Sequence, residues 1–354
     1  MKLTKIKILL AAACVFFLSF LLYFYWGTGS VDSSEDSREF RLEVPSGSGV
    51  SSVAKKLKAQ GGIRSSFVFY VLARTSVFGS IDGQFMLKSG VYTLNTSMTA
   101  SDIISVLNSG KQEYIKTVIQ EGLTKSQIAL ILEQEKVCSA EDFLACVCDR
   151  TLLDERSIPE TVTDFEGFLF PDTYFFSPGM SGKEVLDIMV DNFYSHMENV
   201  PGSDKLEFDE FYKKLILASI VEKEFLLNRE APLVASVFAN RVKINMGLES
   251  CATVNYILEE IEGHEHKSVL SAEDTAIDNP YNTYKWAGLS MIPGPISNPG
   301  DVALQAAFNP PRTGYLFFVS KEDGSGEHVF SKTLEEHNLA KYNMKKTRAR
   351  MSSK

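Results

Sequence analysis

The chain has 354 residues, with 45 acidic side chains against 36 lysines and arginines, a net charge of -9. That length supports a large core and two domains. An acidic body excludes nucleic acid as a partner, because neutralising phosphates needs a basic surface, and five cysteines are too few for a disulfide scaffold.

The N-terminus sets the compartment. The apolar run Ile6 to Trp26, uncharged after Lys7, is long enough to cross about 30 Å of bilayer as a helix. Lys2 and Lys5 lie before it and Lys7 at its start, with Asp32, Glu35 and Asp36 after it. The positive-inside rule then keeps the tip in the cytoplasm and exports the rest. Tyr23, Tyr25 and Trp26 stand where an interfacial aromatic belt belongs. A cleaved signal peptide needs a shorter apolar core and a small-residue cleavage site. A lipoprotein signal on Ala11-Ala12-Ala13-Cys14 leaves the most apolar part, Val15 to Trp26, unexplained. Residues 1–27 are therefore expected to be a cytoplasmic tip and single-pass anchor in the inner membrane, and 28–38, rich in Ser, Asp and Glu, a linker.

Residues 39–113 read as a small α/β module. Arg38 to Val44 alternates as a strand does, and Pro45-Ser46-Gly47-Ser48-Gly49 turns the chain. Val50, Val53, Ala54 and Leu57 mark one helix face, stopped by Gly61-Gly62. A second helix runs from Ser66 to Arg74, a turn at Leu87 to Gly90 leads into a strand, and Ala100 to Leu107 forms a helix ended by Gly110.

Residues 114–345 read as a larger α+β domain, followed by a basic tail over 346–354. A strand over Tyr114 to Gln120 opens it, and Thr124 with Gln127 spells a capping box. Ser139 with Asp142 resembles another helix start. Glu166 to Phe176 is dense in aromatics and broken by Pro171. Helices are expected over Lys183 to His196, Lys213 to Leu227 and Glu230 to Met246. Tyr315 to Val319 is a strand run, and a turn at Gly324-Ser325-Gly326 leads to its hairpin partner, His328-Val329-Phe330. A final helix spans Leu334 to about Tyr342. Cys138, Cys146, Cys148 and Cys251 would face an oxidising compartment, which leaves two readings open: a bond from Cys138 to Cys146 or Cys148, or free thiols.

Four stretches carry more chemistry than packing needs. Leu217 to Glu224 delivers two carboxylates, Glu222 and Glu224, from an apolar helix. Apolar flanks raise a carboxyl pKa, and a carboxyl still protonated near neutrality can give its proton to a leaving sugar oxygen. The plainer reading is a solvated helix face. Two residues apart on a helix means about 200° apart, so at most one of the pair would face a groove. Asn240-Arg241 suits sugar hydroxyls or, equally, helix-end pairing. Tyr281-Asn282-Thr283-Tyr284 combines rings that stack on sugars with hydrogen-bonding groups, but is also ordinary turn chemistry. Ile292 to Gly300, with three prolines and two glycines, is a stiff loop that fits a groove wall or a rigid connector. His264-x-His266 lies in what reads as a solvated loop, not a metal site. There is no G-x-S-x-G elbow, P-loop or H-E-x-x-H. No metal or cofactor is expected.

In order, Leu87 to Tyr92, Glu166 to Tyr174, Ala218 to Glu224, Asn240-Arg241, Tyr281 to Tyr284, Pro293 to Gly300 and Glu336-His337-Asn338 resemble the membrane-anchored endolytic murein transglycosylases of the MltG (YceG-like) type, over nearly the whole chain. The resemblance implies a LysM-like module near the membrane and a periplasmic α+β catalytic domain. It implies cleavage of MurNAc–GlcNAc bonds within glycan strands to give 1,6-anhydro ends, with one Glu acting as acid and then base. It favours Glu224 as that residue, with Glu222 as runner-up. It further implies substrate contacts from Glu166, Asn240, Arg241, Glu249, Thr253, Tyr281, Asn282, Thr283, Tyr284, Pro295, Asn298, His337 and Asn338. The partners implied are glycan strands, the inner membrane, cell-wall synthases and division proteins. Two departures stand out. Members commonly read Leu-Gln-Ser/Thr-Asp-Pro-Thr-Val, where this chain has Leu248-Glu249-Ser250-Cys251-Ala252-Thr253-Val254. The stretch from Gly288 to Ile296 is two residues longer than the usual Gly-Leu-Pro-Pro-Gly-Pro-Ile. The rival readings are a catalytically silent glycan-binding module and a purely structural envelope protein.

Overall fold

The apolar N-terminal run forms one helix, α1 (Lys2–Thr28), whose stretch from Leu10 to Thr28 is long and apolar enough to cross a membrane. In the computed structural model the described residues are 2–45, 47–75, 87–110, 114–289, 291–321 and 323–351. Ser46 of the first expected turn, Ser290 and the tail residues 352–354 lie outside them. The chain divides into two units, Met1–Ile115 and Lys116–Lys354.

In the first unit, β1 (Glu39–Val44) and β2 (Gly90–Asn95) pair antiparallel, with Glu39 opposite Asn95 and Val44 opposite Gly90. Period-two alternation buries Leu42, Val44, Tyr92 and Leu94 on one face. The helices α2 (Val50–Ala59), α3 (Ser66–Thr75) and α4 (Ala100–Ser109) cover that face with Val53, Leu57, Phe69, Ile103 and Leu107. Thr99 and Asp102 make the capping box that starts α4, and Gly110, in left-handed backbone, ends it.

The second unit begins with β3 (Ile115–Val118), which pairs with β4 (Thr173–Phe176). Between them lie α5 (Lys125–Gln134), started by the expected Thr124–Gln127 box, α6 (Ala140–Val147) and α7 (Arg150–Glu155). α8 (Gly182–Met197) packs on α6. The centre is α9 (Phe208–Glu222), flanked by α10 (Ala231–Lys243) and α12 (Asp301–Phe308). Every residue of α9 from Leu215 to Val221 is buried, and each large apolar side chain there contributes roughly 1.5–3 kcal/mol. α11 (Cys251–Tyr256) continues into a π-helical turn over Ile257–Ile261. β5 (Phe317–Ser320) and β6 (His328–Ser331) form the expected hairpin, with Phe317 opposite Ser331, and α13 (Leu334–Met351) lies against it. All five cysteines are free thiols.

Two expectations need correcting. The central helix begins at Phe208 and ends at Glu222, five residues earlier at each end than its apolar run suggested. Acidic Asp209 and Glu210 suit its positive N-terminal end, and Phe208 stacks on Tyr212 at 5.7 Å between ring centres, so aromatic packing extends it backwards. The final helix runs on to Met351, through much of the expected tail. The helices α7, α11 and α12 and the strand β4 gave too short a periodic signal to be read.

Gly167 holds φ at +89°, and a Cβ there would sit 2.5 Å from Cγ of Pro295. Gly167→Ala should therefore lower stability by roughly 2–4 kcal/mol, the sum of left-handed strain and overpacking, read as a fall in the thermal midpoint.

Candidate active site

α9 ends at Glu222 because the chain turns there: Lys223 N–H donates to Ile220 O at 3.1 Å and Glu224 N–H to Val221 O at 3.0 Å, both three residues back. Glu224 is therefore not on the helix, and the 200° argument between the two carboxylates does not apply to it. Glu222 keeps its helical direction, and its Oε2 accepts the Gly300 N–H at 3.1 Å. Burial, followed by the nearby Glu121 charge, pushes its carboxyl up to about 7 against the Gly300 hydrogen bond.

Glu224 faces a cavity of about 570 Å³, within the range of small-ligand pockets. The π-helical turn supplies Glu259 and Glu260 to its wall, α11 supplies Cys251, Asn255 and Tyr256, and the 292–300 loop supplies Ile296. Lys223, Thr124, Gln127, His266, Lys267 and Ser268 complete the polar lining. Glu260 accepts the Thr124 hydroxyl, and His266 Nδ1 lies 2.6 Å from Glu259. Glu224 is half-buried, and burial raises its pKa. The Ser250 hydroxyl, donating to Oε1 at 2.5 Å, pulls the other way, as do the neighbouring His328 and Arg241. Such a carboxyl holds its proton to higher pH than a free glutamate, while the Ser250 hydrogen bond favours its charged form.

The other residues singled out from sequence stand off this wall. Asn240 donates to the carbonyls of Thr313 at 3.1 Å and Tyr315 at 2.9 Å. Arg241 is buried, donates to the carbonyls of Leu316, Gly247 and Leu248, lies over the Phe317 ring and pairs with Glu249 at 3.5 Å. Asn282 is fully buried and donates to the Thr275 and Ile277 carbonyls. Tyr281 packs on Tyr256 at 4.9 Å, and Tyr284 OH lies 3.0 Å from Cys251 Sγ, so both touch wall residues without lining the cavity themselves. Thr253 and Thr283 are buried and 2.9 Å apart.

Glu166, Pro295 and Asn298 form a separate knot. Asn298 Nδ2 donates to Glu166 Oε1 at 2.6 Å and to Leu123 O at 3.0 Å, while its Oδ1 accepts the N–H groups of Gly167 and Leu169. Lys125 N–H adds a further donor to Glu166, whose carboxyl burial pushes up to about 8. His337 is buried against Phe317, and Asn338 is exposed on α13.

Most of the wall went unread. Glu262 to Lys267 reads as a solvated loop because charged and polar residues dominate it, and the one available signal is the run Glu259-Glu260 beside His264-x-His266. His266 faces the cavity, whereas His264 pairs with Glu262 at 3.4 Å. Among the described residues no three metal-ligating side chains gather.

A family model described as the YceG-like family matches residues 42–343. A Bacillus subtilis (strain 168) protein named endolytic murein transglycosylase is 35% identical over 316 residues, covering 85% of this chain and 83% of that one. A protein of the same name from Streptococcus pneumoniae serotype 2 is 29% identical over 321 residues, 83% of this chain but 56% of its own length. The crystal structure of a putative yceG-like protein from Listeria monocytogenes matches with a TM-score of 0.56 at 30% identity, covering 86% of this chain and 99% of that one. With the match running from the first sheet to the last helix, the chain belongs to the YceG-like family.

Proposed function

We propose that this chain is a peptidoglycan lytic transglycosylase, anchored by α1, in which Glu224 serves first as acid and then as base. The observation that carries the reading is the placement of Glu224: a carboxyl with a raised pKa on the wall of a polar cavity. In the first step its proton passes to the glycosidic oxygen as the bond to the MurNAc anomeric carbon breaks. In the second, the carboxylate takes the proton of that sugar's 6-hydroxyl as its oxygen bonds to the anomeric carbon. One C–O bond breaks, one forms, no water is consumed and Glu224 ends protonated. A second carboxylate nucleophile is not needed, unlike in ordinary glycosidases.

Glu222 is assigned a structural role, because its oxygen is engaged by Gly300 and it lies off the cavity wall. The β1–α2–α3–β2 order of the first unit supports a LysM-like, glycan-binding module over 39–113, with the catalytic domain over 114–345. The charge asymmetry around α1 supports a cytoplasmic tip and an exported body. Cell-wall synthases and division proteins are the partners that fit an enzyme acting on strands beside the membrane.

The full chain in detergent micelles, incubated with purified sacculi, should release 1,6-anhydro-ended muropeptides by mass spectrometry. Glu224→Gln should lower the rate by roughly 10²–10⁴-fold. Reducing-end products would move the assignment to a water-using muramidase, and sacculus binding without any soluble product would favour a silent glycan-binding module. Because the first step needs the protonated form, activity should fall as pH rises through the raised pKa of Glu224.

Glu222→Gln should keep activity and change stability instead. Its carboxyl is neutral in the fold up to about 7 but ionises near its ordinary value of 4.5 when unfolded. The cost of burying its charge is thus absent below that lower value and grows as pH rises to about 7. The wild-type thermal midpoint should decline across this window, and the decline should be shallower in Glu222→Gln.

A further inference from the structure

Ser250 occupies the N-cap position of α11, yet its side chain makes no capping hydrogen bond. Thr99, Thr124, Ser139, Asp149 and Ser181 all cap their helices in the usual way, accepting a backbone N–H. The Ser250 hydroxyl is instead turned onto Oε1 of Glu224, at 2.5 Å.

The surrounding hydroxyls fix that direction. Thr253 donates its only hydroxyl proton to Ser250 O at 2.8 Å. In the 2.9 Å pair between Thr253 and Thr283, the donor must therefore be Thr283. The Thr283 oxygen in turn accepts the Ser250 N–H at 3.0 Å. The three residues close a loop of hydrogen bonds that holds Ser250 by both its backbone N–H and its carbonyl. All three are buried, and the two threonine protons are already committed, so Thr253 and Thr283 have no proton to offer a sugar.

We propose that Ser250 is a positioning residue that pins Oε1 of Glu224 and thereby assigns the shuttled proton to Oε2. This rests on the reading of Glu224 as the acid. Oε1 already accepts a proton, and among the described residues Oε2 accepts no protein hydrogen bond. A proton placed on Oε1 would compete with the Ser250 hydroxyl for that oxygen and cost the 2.5 Å hydrogen bond, whereas a proton on Oε2 leaves it in place. The Ser250 bond also favours the carboxylate, opposing the upward push of burial, so it stabilises Glu224 once the proton has gone to the glycosidic oxygen. Thr253 and Thr283 act through Ser250, not on substrate.

Initial rates on sacculi against pH, with the full chain in detergent, test this. Ser250→Ala should lower kcat by roughly 10- to 100-fold with KM within about twofold, the loss expected for a hydrogen bond to a charged group. Losing a donor that favours the carboxylate raises its pKa, so the alkaline limb of the profile should move to higher pH by about one unit. Ser250→Thr should restore both. Thr283→Val, which keeps its shape but frees the Ser250 N–H, should move the limb the same way by less. If Ser250→Ala or Thr283→Val folds with the wild-type thermal midpoint and leaves the limb and kcat in place, the positioning role is wrong. Full activity in Glu224→Gln would instead remove the enzymatic reading beneath it, so the two failures are distinct.

Discussion

The molecule depends on how one loop is clamped across the buried middle of α9. Ser219 is fully buried there, donates its hydroxyl to Ile216 O at 2.8 Å and accepts the Ile296 N–H at 3.0 Å. Ser297 donates to Ser219 O at 3.0 Å. These bonds fix the register of the 292–300 loop against the helix, and each following residue inherits its place. Ile296 reaches the cavity wall, Pro295 meets Gly167, Asn298 ties Glu166 to Leu123, and Gly300 caps the carboxylate of Glu222. A serine in the middle of an apolar helix would ordinarily bond only to its own turn. Here it also satisfies a backbone donor from a loop far along the chain, where an apolar residue would leave that N–H buried and unpaired.

The clamp separates three carboxyls that burial treats alike. Glu166, Glu222 and Glu224 are all pushed above the ordinary carboxylate value by desolvation. Their neighbours decide what each can do. Glu166 accepts from Asn298 and Lys125 on buried ground, where it ties the 292–300 loop to the start of α5. Glu222 is held by Gly300 at the end of the helix. Glu224, two residues later and beyond the last helical turn, is the member of the trio that reaches a cavity. A pKa shift alone does not mark a catalytic group; a shift beside room for a ligand does.

The readable parts of the sequence were those governed by local physics. The Thr124–Gln127 cap, the alternation in β1 and β2 and the β5–β6 hairpin are set by short-range geometry, and they form where the pattern indicates. The end of α9 was misplaced because Phe225, Leu226 and Leu227 continue an apolar run after the backbone has already turned. Nothing within those residues signals the stop; the hydrogen bonds that end the helix run back to Ile220 and Val221. The cavity wall was illegible for a related reason. Residues 262–268 are polar and charged, which by composition means loop, yet His266, Lys267 and Ser268 line the same cavity as Thr124 and Ile296. Conversely, Asn240, Asn282 and Asn298 carry the chemistry of sugar-binding groups, but their amides are engaged by backbone carbonyls. Residue type shows what a side chain can bond, and packing decides whether a ligand or the chain itself is the partner.

The departure of this chain at Cys251 and Ala252 can be judged on the same basis. These two positions open α11, and the helix forms without a proline there, since alanine is a strong helix former. The residues on either side, Ser250 and Thr253, hold the hydrogen-bonded loop that orients Glu224. Neither Cys251 nor Ala252 takes part in the hydrogen bond from Ser250 to Glu224. At position 251 the wall carries a thiol beside the Tyr284 hydroxyl, in a cavity that also holds Glu224, Glu259 and Glu260. On the proposed reading, position 251 shapes the wall on which a ligand would rest, while the contact to Glu224 is made by Ser250.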